Sequence, residues 1–86
     1  KKNIYMEELF LCYDYKKHEH IIDNNIEYIS FRKKSNELED YEITNYNKNY
    51  SLKIPIKNSV YSLRTNLKKT EKILTFLTNH LEYNKK

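Results

Sequence analysis

The sequence contains no glycine in 86 residues, and this absence restricts the turns that the chain can make. Tight turns need residues with positive φ, and asparagine and aspartate tolerate that conformation best after glycine. Such residues cluster at three places, which are predicted to be turns: Asp23-Asn24-Asn25, Ser35-Asn36 and the segment 45–49. Short turns join antiparallel strands. The sequence therefore predicts an antiparallel sheet.

Apolar and polar residues alternate along most of the chain, which is the period expected of strands. In one such segment Leu52, Ile54 and Ile56 lie on one side, separated by Ser51, Lys53 and Pro55. The alternation predicts four strands, at about 8–15, 25–33, 39–46 and 50–56. A weaker fifth strand is predicted at 17–22. Such strands need an apolar cover on one side of the sheet.

That cover is predicted at the C-terminal end, where the spacing of apolar residues changes from two to steps of three and four. The resulting stripe, with Thr70 filling its one gap, consists of Val60, Leu63, Leu67, Leu74, Leu77 and Leu81. This spacing predicts an amphipathic helix over 58–82. The predicted fold class is α+β, an antiparallel β-sheet of four to six strands packed by one C-terminal α-helix.

The length allows one domain, spanning 1–86. The first residue is Lys1 rather than methionine, so we expect a fragment of a longer protein with a flexible linker upstream. The single cysteine, Cys12, excludes an internal disulfide and fits a reducing compartment. No apolar stretch approaches the roughly 20 residues that span a bilayer. We therefore expect an intracellular, cytoplasmic protein without a membrane segment.

The sequence shows no constellation of catalytic residues. Without glycine it has no phosphate-binding loop, and Cys12 lies in a strand pattern with no base beside it. His18 and His20 point to the same face of a predicted strand, but two ligands alone do not make a metal site. A solvated hairpin is the favoured interpretation. This domain is expected to have no enzymatic activity and no cofactor or metal.

A second stripe on the predicted helix suggests a surface for a partner. It lies beside the core-facing stripe and consists of Ile73, Phe76, His80 and Tyr83. Phe10 and Cys12 form a similar row on the first predicted strand. Large apolar residues outside the core-facing stripe often mark an interaction surface. The alternative is a wider core that encloses these residues.

The order of these elements resembles the polo boxes of polo-like kinases, which are antiparallel sheets crossed by one C-terminal helix. The resemblance covers most of the chain and rests on three segments: the hairpin from Leu9 to Asn25, the strand Asn25-Ile26-Glu27-Tyr28-Ile29, and the helix with Leu63, Leu67, Ile73 and Leu77. The short connection Ile54-Pro55-Ile56-Lys57-Asn58 is most similar to the last polo box of the centriolar polo-like kinases.

The resemblance implies a protein-interaction domain that binds a helical segment of a centriole or cell-division scaffold protein and can form a homodimer. It implies a serine/threonine kinase upstream and a location at the centriole or cytoskeleton. Phosphopeptide-binding polo boxes carry a His-x-Lys pair on the second strand. Here His18-Glu19-His20 lies near that place with histidine instead of lysine, and the matching tryptophan is absent. No phosphate-binding residues are therefore transferred from the family.

Two alternatives stay open. Strands followed by a helix also form small single-stranded nucleic-acid binders, in which sheet aromatics stack on bases. The tyrosines that fit this role are Tyr13, Tyr15, Tyr28 and Tyr41, and the net charge of +4 would help. Against it, arginine occurs only as Arg32 and Arg64. The other alternative is a small structural dimerisation domain, which differs mainly in its partner.

Overall fold

In the computed structural model, which describes residues 2–33, 39–57, 59, 61–68 and 70–85, two helices lie on one side of a five-stranded sheet. The elements are α1 (Lys2–Leu11), β1 (Lys16–Asp23), β2 (Ile26–Arg32), β3 (Tyr41–Tyr46), β4 (Asn49–Pro55), β5 (Ser62–Leu67) and α2 (Thr70–Lys85). Each strand pairs antiparallel with the next one in sequence. The predicted α+β class, an antiparallel sheet with a C-terminal helix, is confirmed.

The strands predicted at 17–22, 25–33, 39–46 and 50–56 correspond to β1, β2, β3 and β4. The turn between β1 and β2 and the turn between β3 and β4 lie in the segments where the sequence predicted turns with positive φ. Asn24 and Asn25 have φ values of 47° and 68°, and Asn47 and Lys48 have 50° and 63°. Two successive residues with positive φ are what a type I′ hairpin turn requires. The turn predicted at Ser35-Asn36 lies outside the described residues.

The strand predicted at 8–15 is wrong. Helix α1 extends to Leu11, and a turn with Asp14 at φ 66° follows it. Met6 and Phe10 are four residues apart, so they lie on the same face of α1, and both are buried. The alternating sequence suggested a strand, but this helical pair decides the local structure because it fills the core.

The helix predicted over 58–82 is correct only from Thr70 onward, because Ser62–Leu67 is strand β5. Leu63 and Leu67 are four residues apart, which places them on one face of a helix and equally on one face of a strand. Pairing with β4 selects the strand. Val60, the first residue of the predicted stripe, lies outside the described residues. No helix in the described part of the chain is long and apolar enough to cross a bilayer.

The core lies between the sheet and the two helices. The Phe10 ring of α1 stacks on the Phe31 ring of β2 at a centroid distance of 4.0 Å, and Tyr15 and Tyr41 contact Phe10 edge-on. The remaining buried apolar residues among those whose side chains the structure describes are Met6, Ile29, Ile43, Tyr50, Leu52, Ile54, Ile73, Leu77 and Leu81. The core therefore takes residues from both helices and from β2, β3 and β4.

Two polar contacts fix the periphery of this core. Arg32 donates two hydrogen bonds to the Asp40 carboxylate, from Nε at 2.8 Å and from Nη2 at 2.7 Å, and so joins the end of β2 to the start of β3. Asn84 Nδ2 donates to the Tyr41 hydroxyl at 2.6 Å and to the Pro55 carbonyl at 3.3 Å. The second contact holds the last turn of α2 against β3 and β4.

Candidate partner-binding groove

A shallow groove runs between α2 and the edge strand β5. It consists of two depressions of about 400 Å³ and 360 Å³, and Asn79 lines both. Leu67 and Phe76 line the first depression, whereas Leu63 and Tyr83 line the second. We call these two depressions together the α2–β5 groove. It lies on the helix side of the sheet, so it is continuous with the core.

The groove exists because the helices do not cover β5 fully. Leu63 lies directly opposite Ile54 and Leu67 opposite Tyr50, so these leucines share the inner face of the sheet with core residues. Ile54 is only 1% exposed, whereas Leu63 is 38% exposed. An apolar residue on the inner face of a sheet is normally covered by a helix or a second sheet. At Leu63 that covering layer is incomplete.

The other wall of the groove is one flank of α2. Phe76 packs partly against the core, and its ring lies 4.4 Å from the His80 imidazole, centroid to centroid. Burial lowers the pKa of His80 below its ordinary value of 6.5, so this side chain is neutral at pH 7. Tyr83, one turn farther along, is 67% exposed. The wall is therefore aromatic and uncharged along two helical turns.

The structure brings together three of the five residues predicted to bind a partner, namely Phe76, His80 and Tyr83. The expectation that Ile73 and Phe10 are accessible is wrong, because both are 0% exposed. Ile73 faces the sheet together with Leu77 and Leu81, since the core-facing stripe of α2 is rotated relative to the predicted one. Phe10 is on a helix and fills the centre of the aromatic cluster.

Sequence reasoning missed the β5 side of the groove. Leu63 and Leu67 were assigned to the core-facing side of a helix, and Ile56 to a buried strand face. Ile56 is instead 43% exposed and lines the second depression. The period-two spacing of Leu63, Thr65 and Leu67 was the signal that could have revealed this strand, but the same leucines also match a helical turn.

The tyrosines considered for base stacking do not form one open platform. Tyr15 and Tyr41 are buried, and desolvation raises the pKa of both hydroxyls. Tyr13 lies in the turn after α1 and donates a hydrogen bond to Glu82 of α2. Tyr28 lies on the outer face of β2, on the side away from the buried Ile29. Burial thus removes Tyr15 and Tyr41 from any base-stacking surface.

His18 and His20 both lie on β1, where every position is exposed. The register of β1 against β2 shifts between Lys17 and Glu19, so His18 lies at an irregularity in the strand. His20 Nε2 lies 2.7 Å from the Glu27 carboxylate. The described residues contain no group of three or more His, Cys, Asp or Glu side chains that could hold a metal ion.

The chain matches no protein-family model, and comparisons with curated proteins and with solved structures also give no match.

Proposed function

We propose that this chain is a non-catalytic protein-interaction domain whose α2–β5 groove binds an amphipathic helical segment of a partner protein. The observation that carries this proposal is the incomplete cover over Leu63 beside the aromatic flank of α2. A third helix placed there, alongside α2 and over β5, would complete the helical layer on the inner face of the sheet. Such a helix would bury apolar area on both walls of the groove.

The two edges of the sheet support this choice of site. β1 is exposed at every position, carries the charges of Lys16, Lys17, Glu19 and Asp23, and contains the strand irregularity. Charges and bulges are features that protect an edge from pairing with other chains. β5 carries only one charge, Arg64, and borders the apolar groove. The β5 side is therefore the better candidate for contact with a partner.

The polo-box resemblance predicts the same kind of partner, a helical segment of a centriole scaffold protein, and the parent kinase and centriolar location belong to that prediction. The groove itself accepts a broader class of partner than the one that the resemblance predicts. It requires only an amphipathic helix that presents apolar side chains every three to four residues.

The proposal is tested by titrating the domain with a designed amphipathic peptide of about 14 residues that has a Leu/Ile/Phe face and otherwise neutral side chains. Phe76→Ala should weaken binding by about 2 kcal/mol, roughly 30-fold, because a few buried anchors carry most of the affinity. Leu63→Thr keeps a good strand residue and removes the apolar surface of the opposite wall, so it should also weaken binding. Fluorescence anisotropy measures both.

Tyr46→Ala is the matched control, because Tyr46 is a half-exposed aromatic residue of β3 that lines neither depression of the groove. Its affinity should equal that of the wild type. Circular dichroism and urea titration check that each variant is folded. Unchanged affinity in a folded Leu63→Thr variant would reject the groove as the site. So would changes in amide NMR chemical shifts during the peptide titration that map away from α2 and β5.

A further inference from the structure

The charged residues that line the α2–β5 groove, among the side chains that the structure describes, are lysines. Lys72 lines the depression near the start of α2, and Lys57 lines the depression near its end. Among the described residues that line the groove, none is acidic. Neither lysine forms an ion pair with a residue whose side chain the structure describes. The apolar floor is thus flanked by a positive charge at each end.

Among the side chains that the structure describes on α2 and β5, the one carboxylate belongs to Glu82, and it is directed away from the groove. Glu82 of α2 accepts a hydrogen bond from Tyr13, on the side of the helix that faces the turn after α1. Glu42 of β3 lies 3.3 Å from Lys53 Nζ on the outer face of the sheet. His80 is the histidine among the described lining residues; because burial lowers its pKa below 6.5, it carries no charge at pH 7. Among the lining side chains that the structure describes, none therefore carries a negative charge that would offset the two lysines.

We propose that the helix bound by this groove is acidic, with carboxylate side chains near both of its ends and an apolar face between them. This inference rests on the proposed function and specifies the partner. The part of α2 from Lys72 to Asn84 is about 18 Å long at 1.5 Å per residue, and six residues of β5 extend about 20 Å. The groove therefore takes about three helical turns, and the partner's acidic groups should be about 11 residues apart.

A second copy of this chain does not fit the groove as well. The chain carries a net charge of +4, so a homodimer through this surface would bring two positively charged molecules together with two lysines at each groove. Like charges across an interface oppose association, and complementary charges mainly increase the association rate. An acidic helix from another protein is attracted electrostatically by both lysines.

The test compares two designed 14-residue helical peptides that share one apolar face and carry either glutamate or lysine in their first and last turns. The wild-type domain should bind the glutamate peptide about tenfold more tightly at low salt, and added salt should reduce this preference because the ion pairs are exposed. The variant Lys57→Glu/Lys72→Glu should reverse the preference. Anisotropy titrations measure the affinity of each peptide, and stopped-flow experiments measure its association rate.

The control is Lys16→Glu/Lys48→Glu, which changes the net charge equally at exposed sites on β1 and on the β3–β4 turn. It should keep most of the preference for the glutamate peptide. An equal loss in this control would assign the preference to net charge and overturn the inference.

Three other outcomes separate the two proposals. Equal affinity for both peptides, lost on Leu63→Thr, would leave the groove in place and overturn the acidic partner. Binding of neither peptide, nor of the neutral one, would overturn the proposed function itself. A dimer in sedimentation velocity that Leu63→Thr dissociates would make a second copy the occupant and overturn the acidic helix.

Discussion

The side-chain amide of Asn84 donates a 2.6 Å hydrogen bond to the hydroxyl of Tyr41, 43 positions earlier in the chain. Tyr41 is fully buried in β3, and Asn84 lies in the last turn of α2. Together with the bond from Asn84 to the Pro55 carbonyl, this contact sets where the C-terminal half of α2 crosses the sheet. That position leaves the inner face of β5 partly uncovered, so it helps to form the groove.

Asn84→Ala should destabilise the fold by about 1–2 kcal/mol, because the buried Tyr41 hydroxyl and the Pro55 carbonyl lose a partner. Urea denaturation followed by circular dichroism measures the change. Asn79→Ala, an exposed position on the same helix, should change the free energy of unfolding by less than about 0.5 kcal/mol. Equal effects at the two positions would show that the Asn84 contacts contribute nothing specific.

Removing the guanidinium of Arg32 should lower the free energy of unfolding more than removing the amino group of a lysine in an exposed ion pair. Asp40 is 7% exposed and takes two hydrogen bonds from Arg32, so Arg32→Met leaves a buried carboxylate poorly compensated. The expected loss is roughly 3 kcal/mol. Lys53→Met breaks the more exposed pair with Glu42 and should cost below about 1 kcal/mol. A similar cost for both variants in urea titrations would contradict this ranking.

Ile73 and Phe76 should respond differently to truncation, because one is core and the other lines the groove. Ile73→Ala removes a fully buried side chain and should reduce the free energy of unfolding by about 2–5 kcal/mol. Phe76→Ala removes a partly exposed ring and should reduce it less. Thermal and urea denaturation of the two variants decides the point. If Phe76→Ala is the more damaging change, the Phe76 ring is a core residue rather than a binding wall.

The stability of the domain should fall as the pH drops below about 6.5, in part through His80. Burial lowers the pKa of His80 in the folded state, so the unfolded chain takes up a proton at a higher pH than the folded one does. The contribution is fully present above pH 6.5 and is lost as the pH falls through the folded-state pKa. Urea titrations at pH 7.5 and 5.5 should show a smaller pH-dependent loss for His80→Gln than for the wild type.

Asn79→Ala, an exposed and non-titrating position on the same helix, is the control for that experiment and should keep the wild-type pH dependence of stability. An identical pH-dependent loss in His80→Gln and in the wild type would remove His80 from the explanation.

The β3–β4 turn offers a stabilising substitution. Lys48 has φ 63°, a conformation that costs a residue with a Cβ about 1 kcal/mol more than it costs glycine. Lys48→Gly places glycine after Asn47, the preferred pair for a type I′ turn, and should raise the midpoint of thermal unfolding. Lys48→Ala keeps the Cβ and should give no gain. A decrease with glycine would show that the Lys48 side chain itself contributes to the fold.

Much of the sheet could be predicted from local chemistry. Without glycine, the turns had to use asparagine and its neighbours, and Asn24-Asn25 and Asn47-Lys48 are where the chain reverses. Of the candidate site, Phe76, His80 and Tyr83 follow from the helical period alone. Leu63 and Ile56 do not, because their exposure depends on where α2 crosses the sheet.

By itself the sequence determined the hairpin turns, the antiparallel pairing of β1 to β4 and the amphipathic character of α2, because each depends on residues close in the chain. Only the tertiary structure decided that Ser62–Leu67 extends the sheet, that Phe10 belongs to a helix and that Ile73 faces inward. Spacings of four residues suit both a helix and a strand, so contacts between distant residues had to select one of them.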